Sequence, residues 1–214
     1  MGNGRLGSTV PRVMGMRKRS LPRDLVTLLG GAAIVLVARA SFADHYEVPS
    51  GSMEPTVAVG DQICVNKLAY GLRVPASQRY LVEGPAPARG DVVVLASPTD
   101  GEVLLKRVVG VPGDVVAVSA GRVTVDGTPA RVREEEDGGV VEELGGRQHA
   151  LSTEFGGGPD FAPTPVPPDQ YLVLGDNRGN SRDGRTFGWV ARGRILGRAV
   201  AVCLHQGRPS WKPL

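Results

Sequence analysis

Residues Glu102 to Val118 read EVLLKRVVGVPGDVVAV, two runs rich in valine separated by the turn Val111-Pro112-Gly113-Asp114. Strand geometry applied to the first run puts Leu104, Lys106 and Val108 on one face and turns Arg107 to the other. The pattern recurs on both sides. Upstream, Gly60-Asp61 leads into GDQICVNKLAYGL, where Ile63 and Val65 share one parity. Gly90-Asp91 then opens DVVVLASP, and the turn Pro98-Thr99-Asp100-Gly101 connects it to the central stretch. Downstream, Gly121 to Pro129 (GRVTVDGTP) predicts a hairpin with Asp126-Gly127 at its tip. QYLVL from Gln170 and RGRILGRAVAVCLH from Arg192 add further runs, the last ending near Leu204, with Trp211 to Leu214 a short tail. Short β-runs between turns predict a mainly β fold, a twisted antiparallel sheet. Residues 73–90 are Pro-rich and predict a loop. Residues 133–168, acidic and then rich in Gly and Pro, predict a variable surface excursion that can hold a small hairpin.

The composition agrees. Thirty glycines and 17 prolines in 214 residues, with 5% aromatics, favour turns and short strands over a helical bundle. The net charge of +3 is unevenly spread. Arg5, Arg12, Arg17, Lys18, Arg19 and Arg23 face the single acid Asp24, a balance of +5 that leaves −2 for the rest. A basic tail on an acidic body argues against a nucleic-acid-binding domain. After this tail (1–24), Leu25 to Ala43 reads LVTLLGGAAIVLVARASFA, 19 residues or about 28 Å of helix, close to one hydrocarbon thickness. It fits a single transmembrane helix with a cytoplasmic N-terminus and residues 44–214 outside, or a cleavable secretory signal ending at Ser41-Phe42-Ala43. Cys64 and Cys203 sit in apolar runs and predict two buried small hydrophobes, with one long-range disulfide as the alternative; no Cys/His metal spacing occurs.

Ser52, in VPSGSMEPT (Val48 to Thr56), is the candidate nucleophile, and a serine hydroxyl needs a base. His45, His149 and His205 stand at the membrane boundary, in the excursion and beyond the last strand, and each predicts a solvated or locally bonded side chain. GxSxG and HExxH are absent. Lysine can serve if burial lowers its pKa by several units, and Lys106, flanked by Leu104 and Val108 on its own face, has that setting. Lys67 and Lys212 lack it. A third cluster, GDNRGNSRDGR at Gly175 to Arg185, can fix a tight loop through ion pairs among Asp176, Arg178, Asp183 and Arg185.

Taken in order, four stretches resemble bacterial signal peptidase I, a Ser/Lys membrane peptidase of the S26 type: PSGSMEPT with GDQICVNK, RGDVVV at Arg89 to Val94, KRVVGVPGD at Lys106 to Asp114, and GDNRGNSRDGR. The resemblance covers roughly a third of the chain. It implies Ser52 as nucleophile, Lys106 as base, Ser50 as an oxyanion donor beside the Ser52 N–H, and Ser181 as a hydrogen-bond partner of the lysine. Asp176, Asp183 and Arg185 would form a supporting ion-pair network. It also implies signal peptides of preproteins as partners, the lipid bilayer as workplace, and neither metal nor cofactor. Val48, Pro49, Met53, Leu104 and Leu105 would line shallow pockets for small substrate residues. Family members keep the apolar segment as an anchor, which favours retention of residues 25–43. Gly179 and Gly184 depart from the pattern, standing where an acid and a serine are more usual, and leave the rigidity of that loop open. The alternatives are a self-processing Ser/Lys peptidase and an exported β domain that binds peptides without cutting them.

Overall fold

The computed structural model describes residues 43–73, 80–136 and 138–214, together with Thr27. The chain divides into two units, Met1–Val37 and Ala38–Leu214, and the second carries the β fold. The predicted tail 1–24 and the predicted span 25–43 lie outside the described residues, apart from Thr27 and Ala43; Ala43 opens a strand. Among the described residues, no helix is long and apolar enough to cross a membrane.

Eight strands build the principal sheet. They are β1 (Ala43–Glu47), β2 (Gln62–Asn66), β3 (Val92–Ala96), β4 (Val103–Gly110), β5 (Gln170–Leu174), β6 (Val190–Ala191), β7 (Ile195–His205) and β8 (Arg208–Pro213). Their order is β1-β2-β7-β3-β4-β5-β6, with β8 also paired to β7, and every pairing is antiparallel. Side chains two apart share a face, so β3 feeds two cores. Val92 and Val94 join Val48, Met53, Val57, Ile63 and Val65 in one cluster. Val93 and Leu95 join Val108, Tyr171, Val173 and Ile195 in another. A third cluster, around Val109, Leu172 and Leu174, takes in Val116, Val118, Val123 and Leu144 from smaller sheets. The mainly β, antiparallel expectation holds, and so does the hairpin: Val125 pairs with Thr128 across a tip in which Asp126 and Gly127 take φ of 51° and 76°.

Four expectations are corrected. The excursion at 133–168 is largely ordered structure. Arg131–Glu134, Val140–Leu144 and Arg147–Leu151 form a three-stranded sheet, and Phe161–Pro165 pairs with Val115–Ser119. Leu144 and Leu151 are buried, so this region has a core that its charged composition conceals. The loop expected over 73–90 contains the strand Tyr80–Glu83, paired with Gly71–Arg73. The expected tail is β8. The two cysteines form a disulfide rather than separate buried thiols. Because β2 and β7 are neighbours, Cys64 and Cys203 stand 5.8 Å apart at Cα, within disulfide reach despite 139 residues of separation.

Candidate active site

Ser50 is extended (φ −140°, ψ 153°), and the chain then tightens into a 3-10 turn, Gly51–Met53, that presents Ser52. Met53, wholly buried, roots the turn in the first core. Lys106 arrives from β4. Its Nζ lies 2.6 Å from Ser52 Oγ and donates to the Leu105 carbonyl at 3.0 Å. Ser50 Oγ donates to Ser52 Oγ at 3.4 Å. The lysine is 2% exposed. Burial brings its pKa down to about 8, against the pull of the Asp183 and Asp176 carboxylates and with help from Arg182.

Sequence alone left the meeting of these groups open; the topology brings them together. β5 runs beside β4 only from Arg107 onward, with Leu174 opposite Arg107, and the chain then leaves the sheet as the loop Gly175–Arg185. That loop backs onto the nucleophile turn. Asn177 N–H donates to the Ser52 carbonyl at 3.2 Å, and its Nδ2 donates to the Gly51 carbonyl at 3.2 Å. A side chain on Gly175 would strike both the Ser52 carbonyl and Ser181 Oγ, so only glycine permits this approach.

Buried ion pairs hold the loop. Arg107 grips Asp176 bidentately, Nε at 2.8 Å and Nη2 at 2.7 Å, and Thr56 Oγ1 donates to the same carboxylate at 2.6 Å. Burial opposes ionisation of Asp176, yet Arg107, His149 and Thr56 together hold its carboxyl below the usual range. Asp183 accepts from Arg185 Nε and Nη2, both at 2.8 Å, and from the Gly175 N–H at 3.1 Å. Both carboxylates sit near Lys106, as the resemblance implies. Asp176, though, pairs with Arg107 rather than within the loop, and Arg178 pairs with Glu142. Gly179 and Gly184 do not loosen the loop. A Cβ on Gly179 would lie 2.1 Å from the Phe155 carbonyl oxygen, and one on Gly184 would lie 2.7 Å from Leu172 Cδ1. Close packing takes the place of the missing side chains.

One expected placement is corrected. Ser181 does not bond the lysine: its Oγ is buried without a hydrogen-bond partner. The five residues expected to line shallow pockets are spread over different surroundings. Val48 and Met53 are buried in the first core, Leu105 packs against that core, Leu104 packs against the second, and Pro49 is exposed. Consecutive strand residues point to opposite faces, which separates Leu104 from Leu105.

Sequence reasoning missed a second layer. Glu142 and His149 face each other across neighbouring strands of the three-stranded sheet and are fully buried. His149 Nε2 stands 3.2 Å from Glu142 Oε2 and 3.9 Å from Asp176 Oδ1, without an aligned hydrogen bond to either. Burial opposes the charge of Glu142, but His149 and Arg178 outweigh it and lower its pKa. Arg178 also donates to the carbonyls of Gly121 and Gly175. The expectation of a solvated or locally bonded His149 therefore fails. His205 is exposed, as expected, with Nδ1 2.7 Å from Asp61 Oδ1. Neither histidine contacts Ser52, and only the period-2 register of Glu142 and His149 hinted at their burial. Among the described residues, no cluster of three or more His, Cys, Asp or Glu could hold a metal.

Comparison with known proteins identifies the family. A family model described as signal peptidase, peptidase S26, matches residues 23–204. Signal peptidase I of Pseudomonas fluorescens is 37% identical over 199 residues, covering 82% of this chain and 70% of that protein. Signal peptidase I of Pseudomonas aeruginosa is also 37% identical, over 85% of this chain and 72% of that one. A probable signal peptidase I-2 from Synechocystis is 33% identical over 89% and 78% respectively. A solved signal peptidase I structure from Enterococcus faecalis aligns with 25% identity and a TM-score of 0.37, covering 53% of this chain and 97% of that one. With its family model spanning most of the body and relatives above 30% identity over most of their length, the chain belongs to the signal peptidase family, peptidase S26.

Proposed function

We propose that the chain is a membrane-anchored serine endopeptidase that removes N-terminal signal peptides from exported preproteins, cutting after small residues of the Ala-X-Ala type. The names of the relatives support the substrate class. The observation that carries the chemistry is the 2.6 Å approach of a buried lysine to Ser52 Oγ. With its pKa at about 8, Lys106 is neutral in ~10% of molecules at pH 7, against well under ~0.1% for an ordinary lysine. The neutral amine accepts the Ser52 proton while Oγ attacks the scissile carbonyl carbon. The Ser52 N–H and Ser50 Oγ donate to the oxyanion, each worth about 2.7–4 kcal/mol. The ammonium so formed protonates the departing amine, the C–N bond breaks and a seryl ester remains. The regenerated amine then takes a proton from water as its oxygen attacks the ester carbonyl, and the ammonium returns that proton to Ser52 Oγ as the ester bond breaks.

The substrate binds extended. From Val103 to Lys106, β4 pairs on one edge with β3, and among the described strands none pairs with the other edge before Arg107. A peptide adding itself there lies beside both members of the dyad. Residues 25–43 anchor the chain in the membrane, with residues 1–24 cytoplasmic and the catalytic domain outside. Cleavage of a preprotein by the detergent-solubilised chain, compared with Ser52→Ala and Lys106→Ala, tests the dyad: equal processing by all three sinks it. No processing by the wild type favours a non-catalytic peptide-binding domain. Release of the chain from membranes by alkaline carbonate counts against the anchor.

A further inference from the structure

Arg182 stands between Ser181 and Asp183, yet its side chain leaves the catalytic loop. It reaches the turn that opens β4, where Nη2 donates to Asp100 Oδ2 at 2.7 Å and to Glu102 Oε2 at 3.1 Å. The turn is itself braced: Glu102 N–H donates to Asp100 Oδ1 at 3.1 Å, and Ser97 N–H donates to the Glu102 carbonyl at 2.8 Å. Glu102 directly precedes Val103, the first residue of β4. On the loop side, Ser181 packs on Gly175, which backs onto the Ser52 carbonyl. The Arg182 fork therefore ties the loop carrying Asp176 and Asp183 to the head of the strand carrying Lys106, beside that strand's unpaired edge.

The groups around Lys106 divide by sign. Asp183 and Asp176, both buried, favour an ammonium, and Arg182 opposes it. β3 places the uncharged Val93 opposite Lys106, and the nucleophile turn brings the Ser52 hydroxyl. Arg107, next on β4, is neutralised by Asp176. As a contributor to folding the Arg182 clasp is weak, because Arg182 and Glu102 are largely exposed to water. Its position gives it another use.

We propose that Arg182, pinned by Asp100 and Glu102, is a positioning residue for Lys106: it closes the loop Gly175–Arg185 onto the head of β4 and offsets the two carboxylates there, which without it would favour a positive charge on the lysine. The inference rests on Lys106 being the base and extends that reading to what keeps the base neutral. The test is the pH profile of kcat/KM for the detergent-solubilised full chain on a peptide with an Ala-X-Ala site. In Arg182→Gln the acid limb moves up by about half a pH unit, with the melting temperature unchanged. Arg182→Lys keeps the charge and holds the limb where the wild type has it. An Arg182→Gln limb that superimposes on the wild type overturns the proposal, as does an Arg182→Lys limb displaced equally far. A wild type with no acid limb between about pH 6 and 10 overturns the lysine-base reading instead, so the two failures are distinguishable.

Discussion

The two halves of β4 obey the same local rules and meet opposite fates. From Arg107 to Gly110 the strand is buried throughout and has β5 alongside, and Arg107 itself also pairs with β3. From Val103 to Lys106 it is paired on one edge, and its exposure rises towards Val103. Each half carries a buried cation, and the two cations differ in partner. Arg107 has a carboxylate at 2.7 Å with two parallel contacts, so its charge is matched. Lys106 has a hydroxyl and a carbonyl, neither of them charged, so burial works against its proton. One strand thus holds a charge-matched cation and an amine that burial depresses on consecutive residues. What separates them is whether a carboxylate completes the site.

Substituting the two cations alike tests this contrast most severely. Lys106→Met is expected to abolish preprotein cleavage, by roughly 10⁴-fold or more, with stability unchanged or raised because an unmatched buried amine is gone. A large fall in its denaturant midpoint would contradict the contrast. Arg107→Met leaves Asp176 buried and unpaired, and unfolding of the detergent-solubilised chain should show a loss of about 3–5 kcal/mol. Retained stability would mean that Thr56 and His149 suffice for Asp176.

The pH dependence comes next in size. Lys106 is protonated and inactive below its pKa, so kcat/KM should rise about tenfold per pH unit up to about 8 and then level off. From pH 6 to 9 that is about a hundredfold, measurable with a fluorogenic peptide, and a flat profile would remove lysine as base. The smallest effects compare two valines on the same strand. Val109→Ala, at a wholly buried position, should cost about 2 kcal/mol, whereas Val103→Ala, 49% exposed, should stay within about 0.5 kcal/mol. Equal losses would mean that the open half is covered in solution.

Residue patterns made the strands legible. Strand period in LLKRVV foretold that Leu104 and Val108 share a face, and Asp126-Gly127 foretold a turn that needs positive φ. They failed where polar composition hid burial. Glu142 and His149 look like surface residues until Arg178 and Asp176 are seen beside them, because a buried charge is recognisable only with its partner.

By itself, the sequence determined the β class of the fold, the separation of a basic, apolar N-terminal segment from an acidic body, and Ser52 and Lys106 as the pair worth testing. These follow from local chemistry: side-chain period, turn residues and the apolar neighbours of one lysine. Only the tertiary structure decided that Cys64 bonds Cys203, that Asp176 belongs to Arg107, that Ser181 leaves the lysine alone, and that Ser52 lies 2.6 Å from Lys106. Each of these joins residues far apart in the chain. Such contacts depend on which strands become neighbours and how loops cross their ends, and no local pattern encodes that.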